Sequence, residues 1–235
     1  MLLKLISFEL KFHFKQTSYL LFTILFFLAG FYFASQEGAI RSENKYNLHL
    51  FTSLISLAVV FQIVFQTAYT TLRDSTHNTT QLIHTTSVQK FHFLFSRFFG
   101  IFMMSAFSTL FYVFALYASV KLNIFGIHSD THSSLIDYVW PWLIIVLPNV
   151  FILSSFLFAV ALFTRKTPAI FLMRLLIFSF FWVNNIYIGS PFTGGKLVAP
   201  QDVLNTTAIA DIFGLCGSYE QTQLWSPLEK STQLV

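Results

Sequence analysis

The sequence has little charge and a single cysteine. Lys, Arg, Asp and Glu make up 10% of the 235 residues, whereas a soluble globular domain carries about 25%. So few charges cannot cover a water-facing surface, which argues against a soluble fold. The single cysteine, Cys216, excludes an internal disulfide bond and says nothing about the redox compartment. The net charge of +4 comes from short clusters between apolar runs, a pattern that indicates membrane topology and not nucleic-acid binding.

Apolar residues are abundant in contrast, at 55% of the chain with 31 phenylalanines. Five uninterrupted runs approach the ~20 residues that a helix needs to cross ~30 Å of hydrocarbon. Lipid cannot satisfy exposed backbone groups, so the runs predict helices and an all-α membrane protein. They are too continuous for the alternating strands of a β-barrel. The predicted spans cover residues 19–35, 48–69, 98–120, 139–163 and 169–188 approximately.

The first 18 residues form a basic amphipathic leader, LLKLISFELKFHFKQ at its centre. Apolar residues recur on one helical face, and lysines lie towards the other edge. This pattern predicts a helix in the membrane interface before the first span; a frayed basic flank is the alternative. The leader is followed by no small-residue cleavage site, so the first span is predicted to be an uncleaved anchor. The residues are Leu3, Ile6, Leu10 and either Phe12 or Phe14 on the apolar face, and Lys4, Lys11 and Lys15 on the basic edge.

Lysine and arginine positions predict the orientation of the chain. These residues are more numerous in the leader and in the second and fourth connections than in the remaining segments outside the spans. Because basic residues favour the cytoplasmic side, the N-terminus is predicted to be cytoplasmic and the protein to lie in the inner (plasma) membrane. An odd number of spans then places residues 189–235 outside, as an extracytoplasmic tail.

Motifs for catalysis or nucleotide binding are not found. The sequence has no HExxH or GxSxG motif, and the five predicted spans contain no Asp or Glu. The segment GSPFTGGK has Ser190 in place of the first glycine of a phosphate loop and Leu197 in place of its Ser or Thr. His128 and His132 have the i, i+4 spacing of metal ligands, but their Ser-rich surroundings favour a solvated loop. The chain is therefore predicted to be no enzyme and to hold no cofactor or metal.

Five amides lie within or near the predicted spans: Gln62, Gln66, Asn149, Asn184 and Asn185. Polar residues at this depth are costly and are candidates for function. Two interpretations stay open. The amides can form hydrogen bonds between helices, worth ~0.6 kcal/mol each on average, or they can line a route for a substrate.

Four segments carry a resemblance to a known family. They are the leader ISFELKFHFKQTSYLLF, the second connection RDSTHNTTQLIHTTSVQKFHFLFSRFFG, the fourth-span segment LPNVFILSSFLFAVALFTRKT and the tail segment ADIFGLCGSYEQTQLWSPLEKST. Together they resemble the permease subunits of ABC-2 type transporters, and more narrowly the bacterial permeases that are sometimes fused to a zinc aminopeptidase domain. Ser87 and Ile212 replace prolines of the family pattern, and Ser231 replaces an asparagine. The matching residues of the tail are Asp211, Phe213, Gly214, Trp225 and Glu229.

The resemblance implies a transport subunit with residues 1–188 as its membrane domain. Two permease modules would form a homo- or heterodimer in the lipid, and separate ATP-binding cassette subunits would supply ATP and magnesium. The second connection would receive their motion through Arg73, Asp74, Lys90 and Arg97. The family has a sixth span after the tail, so we expect the chain to be truncated or part of a longer permease. A polytopic membrane enzyme and a structural membrane protein are the alternative hypotheses.

Overall fold

The computed structural model describes residues 2–35, 45–76, 89–122, 124, 134–164 and 166–188, with isolated positions between 200 and 213. Helices account for nearly all of this part of the chain, and no strand occurs in it. In chain order they are α1 (Leu2–Phe14), α2 (Thr17–Ala34), α3 (Lys45–Thr76), α4 (Lys90–Lys121), α5 (Leu135–Pro141), a π-helical segment (Trp142–Val146), α6 (Leu147–Thr164) and α7 (Thr167–Ile188).

Five of these stretches are long and apolar enough to span a membrane, which confirms the predicted all-α membrane protein. They are α2, the segment Phe51–Thr71 of α3, α4, the continuous stretch Leu135–Thr164 and α7. Both α3 and α4 have 32 residues and continue past the predicted spans into the second connection. A helix that leaves the hydrocarbon can continue with polar residues, so hydropathy alone underestimates the length of the helix.

The two long helices form the centre of the bundle. In their spanning stretches 67% of α3 and 61% of α4 is buried, against 22% for α2 and α7. Helix α2 packs mainly on α4, whereas α6 packs on α3 and α7 on α3 and α6. The outer faces of α2 and α7 are therefore left with exposed large apolar side chains, as expected for helices that contact lipid.

A glycine allows the close contact between α2 and α4. A Cβ atom added to Gly30 would lie 2.6 Å from the carbonyl oxygen of Tyr112 and 2.7 Å from the Cβ of Ala115. Neither the backbone of α4 nor its short side chain can move aside cheaply. Close backbone approach at small residues is a common way for helices to associate in membranes.

The fourth span is irregular around its two prolines. Pro141 ends α5, and Pro148 lies in the first turn of α6 without an N–H to donate. The π-helical segment lies between them, where the ordinary helical hydrogen bonds are displaced. Trp142, its first residue, donates from Nε1 to Thr109 Oγ1 of α4 at 2.9 Å. This bond fixes the fourth span against the centre of the bundle.

Candidate functional site: a buried carboxylate between α1, α3 and α4

Glu9 of α1 binds two arginines that lie at opposite ends of the second connection. Arg73 is in the last turn of α3, and its Nη2 lies 2.9 Å from Glu9 Oε1 while its Nη1 lies 3.5 Å from Oε2. Arg97 is two turns into α4, with Nε 3.8 Å from the same Oε1. A forked guanidinium–carboxylate contact fixes direction as well as distance. One carboxylate therefore joins three helices.

This charged cluster is removed from solvent. The side chains of Glu9 and Arg97 are each 4% exposed, and that of Arg73 is 15% exposed. Aromatic rings cover the guanidinium groups: Phe12 lies 4.3 Å from Arg73, and Phe93 lies 4.3 Å from Arg97. A desolvated guanidinium gains from contact with a ring face. Removal of one partner from such a buried pair is strongly destabilising.

The local sequence of α1 explains why this face turns inward. Glu9 and His13 are one turn apart on the same side of the helix, and both are buried. Gly100 of α4 makes room for them, since a Cβ atom there would lie 3.0 Å from Glu9 Cβ and 3.6 Å from His13 Cδ2. The leader is thus helical, as predicted, and its buried face carries its acid and its histidine. Its position in the membrane interface stays a prediction.

His13 connects the cluster to the interior of α3. Thr70 Oγ1 donates its only proton to the carbonyl of Gln66 at 2.7 Å. The contact of 3.2 Å between His13 Nε2 and Thr70 Oγ1 therefore requires Nε2 to be the donor. Burial lowers the pKa of His13 to about 4, and the positive charge of Arg73 acts in the same direction. The imidazole is consequently neutral at neutral pH, with its proton on Nε2.

The four residues predicted to couple to an ATPase are separated by the fold. Arg73 and Arg97 face inward to Glu9, whereas Lys90 is exposed at the start of α4. Asp74 belongs to the last turn of α3, and its side chain is outside the described part of the structure. Residues 77–88 of the second connection are likewise outside the described part of the structure. The coupling role of the four residues stays a prediction.

The two glutamines of the second span form hydrogen bonds to α4. Ser108 Oγ lies 2.6 Å from Gln62 Oε1, and Ser105 Oγ lies 2.7 Å from Gln66 Oε1. Both glutamines are fully buried, and their amide nitrogens have no partner among the described residues. These contacts match the packing interpretation of the intramembrane amides. They also leave buried donors in the α3–α4 interface.

Asn149 holds a residue of the tail inside the bundle. Its Nδ2 donates to the carbonyl oxygen of Phe213 at 2.9 Å and lies 3.4 Å from Ser56 Oγ. Phe213 is 1% exposed and meets Phe181 of α7 edge to face. Phe213 therefore packs in the core, where its carbonyl oxygen accepts from the buried amide of Asn149.

The other intramembrane and tail residues are placed as follows. Asn185 donates to the carbonyl of Phe181 one turn earlier at 2.9 Å, and Asn184 beside it is half-buried. Asp211 accepts a hydrogen bond of 3.3 Å from the backbone N–H of Phe213. The rest of the predicted tail motif and the candidate metal histidines lie outside the described residues: Gly214, Trp225 and Glu229, and His128 and His132.

Sequence reasoning missed Glu9 and His13 as members of a site. One signal was available, because Glu9 is the only acidic residue among the first 36 and has a histidine four residues later. The resemblance also included Glu9 in an aromatic–acidic pair with Phe8. Its partners could not be identified, because Arg73 is 64 residues away along the chain.

Comparison with protein-family models, with curated proteins and with solved structures found no match. Within the described residues, no group of three or more His, Cys, Asp or Glu side chains is arranged to hold a metal ion. The membrane fold, the charged cluster and the sequence resemblance are therefore the features that point to a function.

Proposed function

We propose that this chain is the membrane-spanning permease subunit of an ABC transporter of the ABC-2 type, working as an exporter. ATP and magnesium bind to a separate cassette subunit, and a second permease module completes the dimer in the membrane. The N-terminus faces the cytoplasm of a cell whose inner (plasma) membrane holds the protein. Five membrane-spanning helices and the four resembling segments support this proposal.

The charged cluster is the observation that carries the proposal. Glu9 holds Arg73 at the end of α3 and Arg97 near the start of α4. Both ends of the second connection are thus tied to the same side chain of α1. Force applied to that connection moves α1 together with the two central helices of the bundle. A subunit driven by an external motor needs a link of this kind.

In this proposal, the described coupling residues have two roles. Lys90 is exposed and serves as a contact for the cassette subunit. Arg73 and Arg97 are covered, so they transmit motion and do not touch the partner in this arrangement. The permease changes conformation when its packed helices shift between two discrete arrangements. ATP binding to the partner would shift the population from one arrangement to the other.

The proposal is tested with the tagged full-length chain expressed in its own host. We expect an ATPase subunit to co-purify. Lys90→Gln should weaken its retention, whereas Glu9→Gln should retain it but abolish the stimulation of ATP hydrolysis by the permease. Lys121→Gln at the far end of α4 is the matched control for Lys90→Gln. Absence of any co-purifying ATPase would refute the transporter assignment and favour a structural membrane protein.

The orientation is tested separately by reporter insertion. Reporters placed after Thr79 and after Ser133 flank α4 and should lie on opposite sides of the membrane. We expect cytoplasmic activity at Thr79 and extracytoplasmic activity at Ser133. The reverse assignment would contradict the proposed orientation, and the same side for both would contradict the span of α4.

A further inference from the structure

The face of α1 opposite Glu9 carries Lys4 and Lys11, and Lys15 follows directly after the helix ends at Phe14. With 100° per residue, Lys4 and Lys11 fall within one narrow sector of α1, and all three lysines are exposed. Glu9, the only carboxylate of α1, points the other way and is paired with arginine. The outer surface of α1 is therefore cationic, with no acidic side chain on that helix to neutralise it.

An apolar flank borders the lysines. Leu3 and Phe14 lie beside them and are exposed. The ring of Phe14 meets Phe107 of the spanning helix α4 edge to face, at 6.1 Å between centroids. Leu3, Lys4 and Lys11 also line an open depression of about 410 Å³, together with Ser7 and Phe8. Apolar side chains at the edge of a basic strip are the arrangement of a helix at a membrane surface.

The position of this face along the chain places it at the depth of the lipid headgroups. The first spanning helix begins at Thr17, two residues after Lys15. Lys11 lies one turn before Lys15, and long lysine side chains extend their charge towards the headgroup region while their stems cover apolar surface. The ion pairs of Glu9 fix the rotation of α1 about its own axis, so the lysines stay on its outer side.

We propose that the outer face of α1 is a binding surface for anionic phospholipid headgroups of the adjacent leaflet. Lys4 and Lys11 contact the phosphate across the depression, Lys15 contacts a neighbouring headgroup, and Leu3 and Phe14 lie against the acyl chains. Charge complementarity selects this occupant, since the surface offers three ammonium groups and an apolar border. The inference does not depend on the transport proposal, because it requires only that the chain spans a membrane.

The test measures binding of a fluorescent phosphatidylglycerol to the purified full-length protein in mixed micelles with phosphatidylcholine. A lysine near an anionic surface contributes about a fivefold gain in binding. Replacement of two, in Lys4→Gln/Lys11→Gln, should therefore lower the apparent affinity by roughly tenfold or more. Added salt should reduce the affinity of the parent protein in the same direction.

A matched pair of lysines elsewhere provides the control. Lys45→Gln/Lys121→Gln removes the same charge from the ends of α3 and α4 that lie away from α1. This pair should leave the affinity within about twofold of the parent, since salt screens charges beyond ~10 Å. Lys4→Arg/Lys11→Arg should bind as the parent does, which attributes the effect to charge. All variants are compared at equal thermal stability.

Three results would overturn the inference. The first is unchanged phosphatidylglycerol binding by Lys4→Gln/Lys11→Gln. The second is an equal loss in the control pair, which would mean a general effect of net charge. The third is displacement of the lipid by millimolar inorganic phosphate, because the surface would then bind free anions and not a membrane.

Discussion

Two polar regions of this bundle differ in chemistry. The cluster of Glu9, Arg73 and Arg97 is fully charged and lies where α1 covers the ends of α3 and α4. The hydrogen bonds of the buried amides, such as Gln62 with Ser108 and Asn149 with Phe213, join neutral groups. The difference follows from solvation, since a charge within hydrocarbon costs more than an amide. Under the proposed function, the charged region transmits motion, whereas the neutral region packs the helices together.

The largest expected effect is the loss of the carboxylate. Glu9→Ala removes the carboxylate that hydrogen-bonds to Arg73 and forms an ion pair with Arg97. Truncation of one partner in a buried ion pair costs about 3–5 kcal/mol. We expect a loss of that order in the free energy of unfolding, measured by denaturant titration in detergent. Lys11→Ala on the exposed side of α1 is the control and should change it by less than ~0.5 kcal/mol. Equal losses for Glu9→Ala and Lys11→Ala would mean that the charged cluster does not stabilise the fold.

Acid should weaken the charged region through His13. Its folded pKa of about 4 is below the unfolded value of 6.5, so the unfolded state binds the proton first. Stability is fully present above pH 6.5 and is lost as pH falls from 6.5 towards 4, by up to about 3 kcal/mol. His13→Gln should flatten this part of the unfolding profile. If the unfolding free energy of His13→Gln fell with pH as steeply as that of the parent, His13 would not be the cause. The control variant His92→Gln should keep the parent's slope.

A smaller loss of stability is expected at the close contact between α2 and α4. Gly30→Ala places a methyl group 2.6 Å from the carbonyl oxygen of Tyr112, and overpacking of this kind costs about 1–3 kcal/mol. Gly100→Ala meets the Cβ of Glu9 at 3.0 Å and should cost less, since α1 can shift slightly. Thermal unfolding in detergent measures both. A greater loss in Gly100→Ala would show that α1 is held more rigidly than α2.

The smallest effects belong to the amides of the neutral region. Gln66→Leu removes one hydrogen bond to Ser105 together with a buried amide nitrogen that has no partner among the described residues. Hydrogen bonds between membrane helices are worth ~0.6 kcal/mol on average, so the change in unfolding free energy should stay below ~1 kcal/mol. A double-mutant cycle with Ser105→Ala measures the pair. A coupling energy above ~2 kcal/mol would mean that the neutral contacts stabilise the bundle as much as the charged cluster does.

The sequence predicted the five spans because an apolar run of sufficient length has one stable form in lipid. It ended the second span too early and began the third too late, because the polar residues Arg73 and Arg97 still belong to helices α3 and α4. The sequence could not identify the partners of Glu9 or the contact of Phe213 with Asn149. Both depend on contacts between residues 64 apart, and no local pattern encodes such a pairing.

The central claim is that one carboxylate joins both ends of the second connection, and a pair of double-mutant cycles tests it directly. Glu9→Gln is combined with Arg73→Gln and separately with Arg97→Gln, and the unfolding free energy of each variant is measured. We expect a coupling energy of about 1–3 kcal/mol in both cycles, and none with the exposed Lys90→Gln. Coupling to only one arginine, or to neither, would contradict the account.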